Sequence, residues 1–61
     1  MLIRLKVAIL SSGKTQRQVS LSAGIPETRL SQIVRGRGTP TATERAALIN
    51  VLSCGLDVFG L

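Results

Sequence analysis

Residues 15–35 read TQRQVSLSAGIPETRLSQIVR, two short helical patterns joined by a tight turn. Thr15 suits the N-cap position, where its hydroxyl accepts from the orphan backbone N–H groups of the next turn. Val19 and Ala23, four residues apart, share one face of the helix that follows. Gly24 stops that helix, because glycine tolerates the positive φ that reverses a chain after its last turn. Ile25 then pins the turn to the core. Pro26 fixes its own φ and disfavours helix at Ile25, so a second helix is predicted to start at Pro26 or Glu27. Leu30, Ile33 and Val34 fall at i, i+3 and i+4 and make its buried stripe. Glu27, Thr28, Ser31, Gln32 and Arg35 are left facing outward. Such a polar, partly cationic face lets a helix enter a major groove and hydrogen-bond to base edges, so the stretch reads as a helix-turn-helix.

The charge distribution around this stretch points the same way. The 61-residue chain carries a net charge of +5: residues 1–37 hold seven basic side chains and one acid, and residues 38–61 hold one base and two acids. The motif half is thus +6 and the remainder −1. A field of that sign gives sequence-independent, salt-sensitive affinity for a polyanion. On composition alone a solubilising surface is an equal reading; the motif tips it toward nucleic acid.

Outward from the motif, the first helix is predicted from about Leu2 to Ser11 or Ser12, with Leu5, Ala8 and Ile9 inward and Arg4 and Lys6 toward solvent. Gly13 ends it. After the motif, Arg35-Gly36-Arg37-Gly38-Thr39-Pro40 reads as a loop, kept out of helix by its glycines and proline. Thr41 or Thr43 caps the fourth helix, with Glu44 well placed in its first turn. Ala42, Ala46, Ile49 and Ser53, flanked by Leu48 and Leu52, are expected to form its inner stripe. Arg45 either snorkels or meets phosphate or a partner. A short fifth helix is expected at Leu56–Phe59. The predicted architecture is all-α: a single compact five-helix domain over residues 1–61, with the helix-turn-helix at helices two and three.

At this length folding buries only about 60% of the unfolded chain's surface. One Phe and no Trp or Tyr make the core aliphatic. The absence of histidine, a single cysteine, and the lack of a phosphate loop or close acid pair argue against an enzyme, a metal site or a cofactor. Cys54, in an apolar neighbourhood, reads as a small core residue rather than a reactive thiol. Met1–Leu10 is interrupted by Arg4 and Lys6 and has no small-residue cleavage site, so no targeting signal is expected. The longest uncharged run, Ala46–Leu56, is far short of the ~20 residues that cross a bilayer. The expected location is the cytoplasm.

These residues resemble the Cro/C1-type (XRE, phage repressor-like) helix-turn-helix family, whose domains share a lambda-repressor-like fold. The family's opening Thr-Gln pair is Thr15-Gln16. Its next apolar and small residues are Val19 and Ser20, its small-Gly-apolar turn is Ala23-Gly24-Ile25, and its apolar pair in the recognition helix is Leu30 and Ile33. The basic-Gly-basic exit is Arg35-Gly36-Arg37, the loop runs to Pro40, and SCGLDVF at 53–59 is similar to the closing turn. The chain departs from the pattern where an arginine and a glutamate often pair beneath the motif. Ile9 and Val34 stand there, and packed aliphatics often replace such a pair without loss, so the two are expected to meet. Lys14 takes a place where an apolar residue is common, and Pro26 one where Ser or Thr is common.

The resemblance implies sequence-specific double-stranded DNA binding by a small prokaryotic or phage transcription regulator, a repressor rather than an activator. Carried over by position, it implies base contacts by Glu27, Thr28, Ser31 and Gln32. Gln16 resembles a phosphate clamp, with Lys14, Arg17, Arg29, Arg35 and Arg37 as further phosphate contacts. The chemistry fits: Gln pairs with adenine, Glu accepts from cytosine, and a Thr methyl meets a thymine methyl. Glu27 has a second reading, as a helix N-terminal charge or partner to a neighbouring arginine. Lys14 is equally well read as a solvated side chain.

The tail at 51–61 holds one charged residue, Asp57, and more apolar residues than a small core obviously absorbs. Leu52, Leu56, Val58, Phe59 and Leu61 are therefore the expected dimer interface, since the family resembled binds inverted-repeat operators as two-fold dimers. A tail that only caps the monomer core is the plainer reading. The competing function is a protein-interaction module, such as an antitoxin or phage modulator subunit, acting through that tail on a protein partner.

Overall fold

The chain is described by a computed structural model covering residues 1–59. It forms α1 (Ile3–Ser11), α2 (Gln16–Ala23), α3 (Glu27–Val34) and α4 (Ala42–Leu52), then a 3-10 turn at Leu56–Phe59. Among the described residues there is no strand. The described residues are therefore all-helical, with four α-helices, and the expected fifth helix is one tight 3-10 turn. Four residues suit that form, since longer 3-10 runs are held by poorer hydrogen bonds.

Each boundary has a local cause. Thr15 caps α2 through a reciprocal box: its Oγ1 accepts from the Gln18 N–H at 3.1 Å, and its own N–H donates to Gln18 Oε1 at 2.8 Å. Gly24 ends α2 at φ 70°, with the Ile25 N–H donating back to Ser20 O at 3.0 Å. Pro26 precedes α3 with extended ψ, as a residue unable to donate there should. Thr41, not Thr43, caps α4 by the same reciprocal box with Glu44, at 3.1 and 2.9 Å. Ser53 ends α4 in the left-handed region at φ 53°, a conformation that disfavours any residue with a Cβ.

The core joins Leu5 and Ile9 of α1, Val19 of α2, Ile25 of the turn, and Leu30, Ile33 and Val34 of α3. Leu48 and Leu52 of α4 with Val58 and Phe59 of the 3-10 turn complete it. α2 packs on both α3 and α4, and α1 packs on α3 and on the 3-10 turn. Burying each of these side chains contributes roughly 1.5–3 kcal/mol relative to leaving it in water. Ile9 and Val34, expected to meet where the family often has an ion pair, are both buried in this one cluster. Backbone bonding adds to the tie, because the Leu2 N–H donates to Val34 O at 2.8 Å.

Two inner faces differ from expectation. In α4 the buried residues are Leu48 and Leu52, while Ala42, Ala46 and Ser53 are exposed. Alanine has too little apolar area to orient a helix against two leucines. The tail folds back rather than standing free: Leu52, Val58 and Phe59 are buried in the monomer core. Leu56 is 52% exposed, and Leu61 lies outside the described residues. The exposed apolar surface lies largely elsewhere, at Ile3, Val7 and Leu10 on the outer side of α1 and Leu21 on α2. Cys54 is half-buried against the core, and burial pushes its thiol pKa up, away from reactive thiolate.

Candidate nucleic-acid interface

α2 and α3 meet at the Gly24-Ile25-Pro26 turn, and the stripe of Leu30, Ile33 and Val34 fixes which side of α3 faces inward. The opposite side of α3 then lines a concave surface with the start of α2 and the exit from α3. Gln16, Glu27, Thr28, Ser31, Gln32, Arg35 and Arg37 share that surface. All four expected base-reading residues are present, from one face of α3, joined by Gln16 and two arginines.

The supporting bonds leave these side chains free. Arg35 continues α3 in helical conformation, its N–H donating to Ser31 O at 3.0 Å. Gly36, at φ 77°, then turns the chain so that the Arg37 N–H donates to Gln32 O at 2.9 Å. Both arginines are exposed. Glu27 sits in the first turn of α3, where a carboxylate is stabilised by the helix dipole, and among the described residues it forms no ion pair. Its carboxylate thus remains available to an amino group in the groove.

Three expected phosphate contacts stand outside the concave surface. Arg17 is exposed on α2. Lys14 is exposed too, its Nζ 3.5 Å from Val51 O. Arg29 is already engaged: its Nε donates to Glu44 Oε2 and its Nη2 to Glu44 Oε1, both at 3.0 Å, and Nη2 also donates to Thr39 O at 2.9 Å. Nε and Nη2 of Arg29 are thus taken up within the protein, and the residue lies outside the surface that Gln16, Arg35 and Arg37 share. The Arg29 hydrogen bonds, with the Thr41 N–H, hold the Glu44 carboxyl at about 2, well below the usual range. Its carboxylate in turn raises the Arg29 pKa. The pair links α3 to α4 across fifteen positions, too far for a sequence pattern to reveal. Arg45, left open above, donates from Nη1 to Pro40 O at 2.9 Å and so also braces the loop.

Among the described residues no three His, Cys, Asp or Glu side chains cluster as metal ligands, and no helix is long and apolar enough to cross a membrane. The fold and this surface define a helix-turn-helix domain. The model of the family described as Helix-turn-helix matches residues 5–59, and the chain belongs to that family, the Cro/C1-type DNA-binding transcription regulators. No curated protein and no solved structure matches the chain.

Proposed function

We infer that the chain is a sequence-specific reader of double-stranded DNA that represses transcription in a prokaryotic or phage setting, inside the cytoplasm, with α3 in the major groove. The observation that carries this is the single surface on which Gln16, Glu27, Thr28, Ser31, Gln32, Arg35 and Arg37 converge. Glu27, Thr28, Ser31 and Gln32 contact base edges, Gln32 pairing with adenine or Glu27 accepting from cytosine. Gln16 from the N-terminus of α2, with Lys14, Arg17, Arg35 and Arg37, meets the flanking phosphates. Binding is by a two-fold homodimer at an inverted repeat. The exposed apolar side chains that support such a contact are Leu56, from the tail, and Ile3, Val7 and Leu10 on α1.

The competing reading, an interaction module acting through its apolar tail, draws little support from a tail whose Leu52, Val58 and Phe59 are buried at home. The test compares Gln32→Ala with wild type on the preferred duplex and on a scrambled one. A base contact loses roughly 1–3 kcal/mol on the preferred site and almost nothing on the scrambled one. Equal binding to both duplexes by the variant and by wild type would remove base reading by α3.

A further inference from the structure

The loop that carries Arg37 is tied at its start by the Gly36 and Arg37 N–H groups, which donate to Ile33 O and Gln32 O, and at its end by Arg45 Nη1, which donates to Pro40 O; between these ties, at Gly38 and Thr39, it is held by the Arg29 side chain. On one side it borders a cleft lined by Leu2, Gly36–Pro40 and Phe59, so the core does not press against it there. On the other side lies the Arg29 guanidinium, bound to Thr39 O at 2.9 Å and forked onto Glu44. The fit is close: a Cβ built on Gly38 would stand 2.5 Å from Arg29 Nη1. Glu44 is itself fixed, since its Oε1 accepts from the Thr41 N–H at 2.9 Å as part of the α4 cap. Arg29 and Glu44 are 32% and 19% exposed, sheltered enough for the fork to hold its geometry.

We propose that Arg29 and Glu44 are positioning residues: their fork clamps the α3–α4 loop to both helices and so holds Arg37 where a DNA phosphate can meet it. Neither side chain touches DNA. This rests on the DNA-reading function above. It also makes a prediction whose sign differs from simple electrostatics. Neutralising Glu44 raises the net charge of the protein, which by itself tightens binding to a polyanion. Releasing the clamp frees the loop and weakens it.

The test is equilibrium binding of wild type, Glu44→Gln, Arg37→Ala and the double variant to the duplex preferred by wild type, at about 0.15 M salt. Glutamine keeps an acceptor for the Thr41 N–H, so the α4 cap survives the change. Glu44→Gln is expected to weaken binding by up to about fivefold, the share of one phosphate contact at this salt. In the Arg37→Ala background it is expected to cost nothing further, because no side chain remains to be placed. Binding by Glu44→Gln as tight as wild type or tighter, or a loss that persists without Arg37, overturns the proposal. Backbone 15N relaxation on the DNA-free protein reads the clamp independently of any duplex. Glu44→Gln should increase nanosecond motion at Gly36–Thr39 while the helices stay rigid, and an unchanged loop overturns the clamp. Failure of wild type to prefer any duplex would instead remove the DNA-reading function and leave the relaxation result standing.

Discussion

Truncating Arg37 to alanine isolates one ionic contact. Its side chain is exposed, lines the concave surface, and makes no hydrogen bond or ion pair among the described residues. Its backbone N–H is tied to Gln32 O, so the loop path survives the loss of the side chain. Each phosphate neutralised on duplex DNA contributes about −0.9 to the slope of log K against log salt. One contact is then a factor of about 5, or ~1 kcal/mol, at ~0.15 M salt, and about 3.5-fold of the affinity lost between ~50 and ~200 mM. Arg37→Ala should therefore weaken binding about fivefold, equally on preferred and scrambled duplexes, and make the slope shallower by about 0.9. Fluorescence anisotropy with a labelled duplex over a salt series measures both. An unchanged slope would show that Arg37 meets no phosphate, and a loss confined to the preferred duplex would make it a base contact.

Three further outcomes concern the fold. Leu30 is fully buried at the centre of the core, so Leu30→Ala should cost ~2–5 kcal/mol. A 61-residue domain has roughly 3–9 kcal/mol in all, so the loss should lower the Tm followed by circular dichroism by roughly 8–40 °C; a Tm within a few degrees of wild type contradicts the core assignment. Ser53 ends α4 at φ 53°, and Ser53→Gly should stabilise by about 0.5–1 kcal/mol, raising Tm by ~2–8 °C; a lowered Tm argues against the left-handed cap. Glu44 has its folded pKa depressed to about 2 from an ordinary 4.5. Its contribution is therefore complete above pH 4.5 and is lost as pH falls toward 2, where the unfolded state takes up the proton first. Urea denaturation at both ends of that range should show a larger acid loss for wild type than for Glu44→Gln, and equal losses would contradict the ion pair.

How much of this was legible in the sequence depends on how local each cause is. The Gly24-Ile25-Pro26 turn could be read directly, because left-handed glycine and fixed proline φ are properties of single residues. The α3 face was legible for the same reason, since Leu30, Ile33 and Val34 leave one orientation, and that orientation brings Glu27, Thr28, Ser31 and Gln32 to one surface. The two capping boxes are local too, each a Thr with a Gln or Glu three residues on: Thr15 with Gln18, and Thr41 with Glu44. In α4, alanines mingle with leucines, and only packing against α2 selects Leu48 and Leu52 as the buried face. The Arg29–Glu44 fork depends on the loop bringing α3 to α4, and no helical spacing encodes it. Of the apolar residues in the tail, Leu52, Val58 and Phe59 are buried in the monomer and Leu56 is exposed. The 3-10 turn returns Val58 and Phe59 to α1, a helix that also exposes Ile3, Val7 and Leu10.

The most direct test of base reading is selection of the purified protein over several rounds on random duplexes of about 30 bp, long enough for two half-sites one helical turn (~10 bp) apart. A short inverted repeat should be enriched, with binding to it that weakens steeply as salt rises. Weak, uniform, salt-sensitive binding with no enriched sequence would contradict base reading.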